Sequence, residues 1–317
     1  MPNYQGVWSL STQFQNASGW PSPPLFQRAL FAGGIEASYD NTIEYVTITS
    51  AGNATDFGDL INGPYKTAGT SSPTRGVVGG GQVTGGSPVN VIQYVTVAST
   101  GDATDFGDLT DSIRGLAACA SNTRGLFAGG ENASSTQLNV ISYITIASTG
   151  NATDFGDRTT SVRDTSSCSS QTRGVFGGGQ PSSTNVIDFV TIATTGNASD
   201  FGDLTQGRQS LAACSSPTRG VFGGGDNGSG SVNIIDFITI ASTGNATDFG
   251  DLTLDRDLLG AASSHTVGLF AGGDRGGAQN IIDQITIASE GNATDFGDLY
   301  GGRQGLAGLS SAHGGLS

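Results

Sequence analysis

Apolar and polar positions along this chain fall into four kinds of block that return in the same order from Arg28 almost to the C-terminus. The most regular block, Asn185-Val-Ile-Asp-Phe-Val-Thr-Ile192, alternates with apolar groups on both sides: Ile187 and Phe189 on one, Val186, Val190 and Ile192 on the other. A strand sandwiched between two neighbouring sheets needs that pattern. Equivalent runs start at Asn90, Asn139 and Asn233. The block before it runs Val-Phe into consecutive glycines, as in Arg219 to Gly225, and predicts a strand whose end allows close backbone approach. Before that lies a small-residue block such as Leu211-Ala-Ala-Cys-Ser-Ser216, suited to inner strands crowded around an axis. The last block, Asn-Ala-Thr-Asp-Phe-Gly-Asp-Leu, predicts a short outer strand whose phenylalanine tucks between neighbouring units.

Counting the Asp-Phe-Gly-Asp cores fixes the period. Their first aspartates are Asp56, Asp105, Asp154, Asp200, Asp248 and Asp295, in steps of 49, 49, 46, 48 and 47 residues. Six copies of four short strands at that spacing predict an all-β, six-bladed β-propeller. The first copy starts at its second strand, with Arg28-Ala-Leu-Phe31, whereas Leu306 to Ser311 is an inner strand without a blade of its own. Pairing the two closes the first blade with the C-terminal strand and removes the sheet edges. The expected organisation is an N-terminal arm, 1–27, and a propeller, 28–317, with repeats from about 28, 75, 124, 173, 219 and 267. Residues 312–317 have no role in this scheme.

Composition agrees with short strands and tight turns: the 317 residues include 51 glycines and only 13 lysines and arginines, so almost no helix is expected. The net charge of −14 disfavours nucleic acid and anionic membrane as partners. No basic-then-apolar leader and no long apolar run occurs, which leads to the expectation of a soluble protein not secreted by the usual route. Cys119, Cys168 and Cys214 share one repeat position and read as small buried hydrophobes rather than as disulfide or zinc ligands.

The chemistry-bearing motifs reduce to architecture. Six copies of Asp-Phe-Gly make no kinase, because the partner motifs are missing, and no Asp-x-Asp-x-Asp-Gly calcium loop is present. Arg75, Arg124, Arg173 and Arg219 recur at one turn, and Arg114, Arg163, Arg208, Arg256 and Arg303 lead into the inner strands; carboxylate pairing within or between blades is expected of the first set. His265 and His313, the chain's two histidines, form no triad with a nucleophile elbow. Asn53, Asn151, Asn197, Asn245 and Asn292 open glycosylation-type sequons, which read as turn chemistry. No catalytic residue, metal ligand or cofactor is expected.

The glycine doublets, from Gly33-Gly34 to Gly272-Gly273, and the third-strand aromatics Tyr45, Tyr94, Tyr143, Phe189 and Phe237 resemble the kelch-like propeller family over residues 28 to 317. Gln284 replaces the sixth aromatic, and phenylalanine stands on the outer strand where that family carries tryptophan. The combination of TRGVFGGG, ASTGNATDFGDL and LAACSS behind an MPNYQGVWSLS opening is similar to propeller proteins of tailed bacteriophages, marine and cyanobacterial ones above all. That resemblance implies a non-enzymatic structural protein of a virion assembled in the host cytoplasm: a tail, baseplate, fibre or capsid-decorating component present in several copies. Its partners would be other virion proteins and a host-surface glycan or protein. The residues expected to meet partners are Tyr4, Trp8, Phe14 and Trp20 on the arm, and Tyr39, Glu131 and Asp226 in the variable loops between second and third strands. A lectin or polysaccharide-degrading propeller, and a spacer without ligand, remain as other readings.

Overall fold

The computed structural model describes residues 27–316 and shows an all-β, six-bladed propeller. The arm residues Tyr4, Trp8, Phe14 and Trp20 lie outside the described residues. Blade 4 is representative: Ser166–Ser169 lines the axis, followed outward by Arg173–Gly177, Val186–Thr191 and Ser199–Asp203, each antiparallel to the last. Blade 1 takes its inner strand from the other end of the chain. Ala307–Ser310 pairs with Arg28–Ala32, from Ala29 opposite Ser310 to Ala32 opposite Ala307. In blade 2 the outer strand continues through Thr104–Arg114 and takes Glu131–Asn132 of blade 3 as a fifth member. No helix occurs among the described residues.

The blades leave two unlike faces. One, the mouth, carries the loops between second and third strands and the connections between blades. The other, the base, carries the tight turns, and there the described chain enters: the Gln27 carbonyl accepts from Ile48 at the end of a third strand.

The apolar core is six seams rather than one centre. Phe57, on the outer strand of blade 1, packs with Val78, Val95, Val97 and Ala103 of blade 2, and the other five seams repeat this arrangement. Cys119, Cys168 and Cys214 are free thiols seated against Gly174, Gly220 and Gly268 of the following blade, where a side chain would collide with sulfur. Burial raises the thiol pKa of all three, as expected for small apolar fillers.

Polar straps cross every seam. A bulge between Ile187 and Asp188 leaves Gly202 at φ +144°, turning Phe201 and Asp203 toward blade 5. Gly244 N–H donates to Phe201 O at 2.7 Å, Ala246 N–H to Asp203 O at 2.8 Å, and Asp203 N–H to Asn245 Oδ1 at 3.1 Å. The strap explains the sequon: its asparagine side chain receives a bond from the preceding blade. A Cβ on Gly202 would lie 2.5 Å from the Gly244 carbonyl oxygen.

Acids and bases buried within the blades are matched blade by blade. Arg208, Arg256 and Arg303 are fully or almost fully buried, and they reach Asp236, Asp283 and Glu44 on the third strands at 2.6, 3.0 and 2.8 Å. In blade 4 Val162 takes the arginine's place, and Arg158 arrives from four residues earlier to meet Asp188 at 3.1 Å. Blades 2 and 3 have Pro64 and Ile113 at that position, and their third strands carry neutral Gln93 and Ser142. A buried carboxylate therefore appears only where a cation reaches it. Arg256→Ala, which strands Asp283, is expected to destabilise the propeller by about 3–5 kcal/mol, whereas Arg256→Met with Asp283→Leu should stay close to wild type. Chemical denaturation of the three proteins checks this.

Candidate functional site

The arginines expected at one position before the inner strands separate into two ranks at the mouth. Arg114 and Arg163 sit one residue beyond the buried rank of Arg208, Arg256 and Arg303, and so belong with Tyr65, Gln209, Asp257 and Gln304 on the rim. Each rim residue bridges to the first residue after a glycine pair: Tyr65 to Gln82, Arg114 to Glu131, Arg163 to Gln180, Gln209 to Asp226, Asp257 to Asp274 and Gln304 to Ile35. These positions differ from blade to blade, whereas the glycines beside them do not.

Inside the rim, the next residue of each connection forms a closed hydrogen-bonded ring. Lys66 N–H donates to Gly305 O, Gly305 to Leu258, Leu258 to Ser210, Ser210 to Asp164, Asp164 to Gly115 and Gly115 to Lys66, all within 2.6–2.8 Å. All six residues take left-handed φ angles between +53° and +65°, four of them without being glycine. Lys66 Nζ reaches over Gly115 to Asp164 at 2.8 Å. The floor of the mouth is thus a continuous ring of backbone hydrogen bonds.

Half of the rim is one continuous polar chain. Gln82 Nε2 donates to Tyr39 Oη at 2.6 Å, and Arg114 bonds Gln82 Oε1. Glu131 is shared by Arg114 at 2.6 Å and Arg163 at 3.0 Å, and Arg163 Nε donates to Gln180 at 2.9 Å. Tyr65 lies edge-on to Tyr39, with centroids 6.4 Å apart, and its ring covers Gly305. Burial first, then the fields of Asp164, Asp257 and Asp274, push the Tyr65 phenol up to about 12, so it remains a neutral hydroxyl over the floor.

The opposite half is acidic. Asp226 and Asp274 accept from their own loop amides, Gly228 N–H at 2.5 Å and Gly277 N–H at 2.6 Å, and Ser231 reaches Asp257 at 3.4 Å. Among the described residues no ion pair reaches these three carboxylates; the nearby Arg275 is engaged by Asp255 at 2.7 Å. Burial, then Asp274 and Asp226, raises Asp257 to about 6. Among the described residues no group of three His, Cys, Asp or Glu is placed to hold a metal ion.

Tyr39, Glu131 and Asp226 therefore all lie at the mouth, with Tyr39 and Glu131 joined in one network and Asp226 across the rim from them. Sequence reasoning missed Tyr65, Gln82, Arg163 and Asp257 as rim residues; a one-residue offset in aligning the arginines hid them. The turn arginines differ from expectation too. Arg75, Arg124, Arg173 and Arg219 stack over Tyr94, Tyr143, Phe189 and Phe237 at 4.4–4.7 Å and donate to backbone carbonyls of the next blade. Among the described residues only Arg219 also meets a carboxylate, Glu290 at 3.5 Å, and there the acid is exposed. The stacked aromatic, already present on the third strand, supplies what a solvated carboxylate would supply weakly. Blade 6 loses both partners together, with Val267 and Gln284 in their places.

A scan against models of protein families finds no match, and no curated protein matches the chain.

Asp257 supplies a pH test of the acidic half. Its folded pKa lies above the unfolded value, so its ionisation opposes folding in full above about 6, and the penalty fades as pH falls from about 6 to about 4. Because the group is only partly buried, the effect is discounted to on the order of 1 kcal/mol. Asp257→Asn should raise the thermal midpoint at pH 7.5, with the gain vanishing by about pH 4 in calorimetry.

Proposed function

We propose that the chain is a non-enzymatic binding module of a tailed-phage particle, a kelch-like propeller held in a tail, baseplate, fibre or capsid decoration in several copies. The arm, 1–27, attaches it to other virion proteins, and the mouth meets a neighbouring subunit or a host-surface molecule. The observation that carries this reading is the separation of roles: the repeated residues are engaged in seams and straps, whereas the unrepeated ones gather at the mouth. Residue 27 joins the propeller at the base, the face away from them.

A second reading, a saccharide-binding or saccharide-cleaving propeller, draws on the Tyr39–Tyr65 pair beside Gln82, because aromatic faces and planar amides suit sugar rings. It differs in outcome from the first: turnover of an envelope polysaccharide that is lost on changing Glu36, Glu131 or Asp226 would replace the binding role by an enzymatic one.

In a phage that encodes this chain, deletion of residues 1–27 is expected to yield a folded propeller missing from purified particles. Tyr39→Ala with Arg163→Ala should be incorporated normally yet weaken partner or host binding by roughly thirtyfold, the size of a hot-spot truncation. Normal incorporation of the truncated chain contradicts the anchor, and unchanged binding by the double variant contradicts the mouth.

A further inference from the structure

At the base of the channel the inner strands are joined by a ring of serines. Ser169 Oγ donates to Ala120 O at 2.8 Å, Ser215 Oγ to Ser169 O at 2.8 Å, and Ser263 Oγ to Ser215 O at 2.9 Å. Ser310 continues the ring to Ser263, and Ser71 Oγ donates to Ser310 O at 2.5 Å. One link is missing, because the blade 3 residue is Ala120, which has no hydroxyl to offer the Ser71 carbonyl. His313 makes that bond instead, Nε2 to Ser71 O at 3.1 Å.

His313 belongs to the segment that follows the closing strand and turns into the channel. Gly315 N–H donates to His313 Nδ1 at 3.1 Å, Leu316 N–H to His313 O at 2.9 Å, and Gly314 N–H to Ser215 O at 3.0 Å. His265, on the blade 6 turn, holds Leu316 O at 3.1 Å. A Cβ on Gly314 would collide with Ser216 and Ser169, and one on Gly315 with Ala120, so Gly-Gly is the sequence that fits. His313 is half-buried in the wall it completes.

We propose that residues 312–316 form a latch that secures the closing strand in blade 1 and seals the base of the channel, with His313 as its pin in place of the hydroxyl that Ala120 lacks, and that a proton taken up at Nδ1 releases it. Both bonds of the imidazole demand the neutral Nε2–H form: the Ser71 carbonyl can only accept, and the Gly315 amide can only donate. A proton on Nδ1 removes the second bond and leaves a charge in the channel wall. Among the described residues, the titratable groups facing the ring are His265 on blade 6 and, in the wall itself, the neutral thiols of Cys119, Cys168 and Cys214. Burial, opposed by the Ser71 bond, lowers His313 to about 4, whereas a released histidine titrates near 6.5. The latch is therefore complete above about pH 6.5 and weakens as pH falls toward about 4.

Hydrogen exchange of the C-terminal peptide in the full chain tests this across pH 7 to 4, with intrinsic rates divided out. Wild-type protection should fall by about two orders of magnitude over that range. His313→Gln, which keeps an amide donor for Ser71 but cannot titrate there, should stay protected at pH 7 and lose the acid step. His313→Ala should be unprotected throughout, and adding Ala120→Ser, which closes the ring, should restore thermal stability without restoring protection of the tail. An acid step that survives in His313→Gln overturns the release mechanism. Unchanged protection in His313→Ala, or no recovery of stability on adding Ser at position 120, overturns the pin; should His313→Ala fail to fold, His313→Gln decides.

Discussion

Everything in this molecule depends on hydrogen bonds that pass from one blade to the next until the last donor meets the first acceptor. A single strand and its neighbours cannot bury their apolar faces alone, so each blade is stable only between two others. The closing pair, Ala29 to Ala32 against Ala307 to Ser310, turns a row of such blades into a ring without ends. Around that pair the bonds form concentric sets: the mouth ring through Lys66 and Asp164, the straps between outer strands and sequon asparagines, and the serines at the base. Where a member is absent, another residue takes over its bond, as His313 does beside Ala120.

The same economy governs charge. Buried aspartates and glutamate occur on third strands only in blades where an arginine reaches them, and Arg158 serves blade 4 from a different position in the sequence. The pairing can thus be transferred between positions as long as the guanidinium ends in the same place. The rim of the mouth, where carboxylates are only partly buried, is free of this constraint: Asp226, Asp257 and Asp274 gather without a cation among the described residues. Unneutralised acids facing a polar chain of Tyr39, Gln82, Arg114, Glu131 and Arg163 give the mouth a charge asymmetry.

The ring was readable in the sequence because its signals repeat. The Asp-Phe-Gly-Asp period, the glycine pairs and the spare inner strand at Leu306 to Ser311 led directly to six blades and their closure. The Asn-Ala-Thr turn was also legible as structure, though not as a strap between blades, since a side-chain bond to a residue some forty positions away leaves no local pattern. What repetition cannot reveal is a contact made once. Tyr65 beside Tyr39, Arg163 sharing Glu131 with Arg114, and His313 in the serine ring each join segments far apart in the chain. The turn arginines misled for a related reason: abundant aspartate nearby in sequence pointed to ion pairs, whereas the aromatic on the adjoining strand lies closer in space.

The central claim is that repeated residues build the ring, and the proposal built on it is that the unrepeated rim meets a partner. Hydroxyl-radical footprinting of the full chain, free and in the particle proposed to carry it, tests this most directly. Protection of Tyr39 and Tyr65 on the rim, with the exposed Tyr300, just past the outer strand of blade 6 on the same face, still reactive, is the predicted result. Unchanged reactivity of Tyr39 and Tyr65, with Tyr300 protected instead, would contradict it.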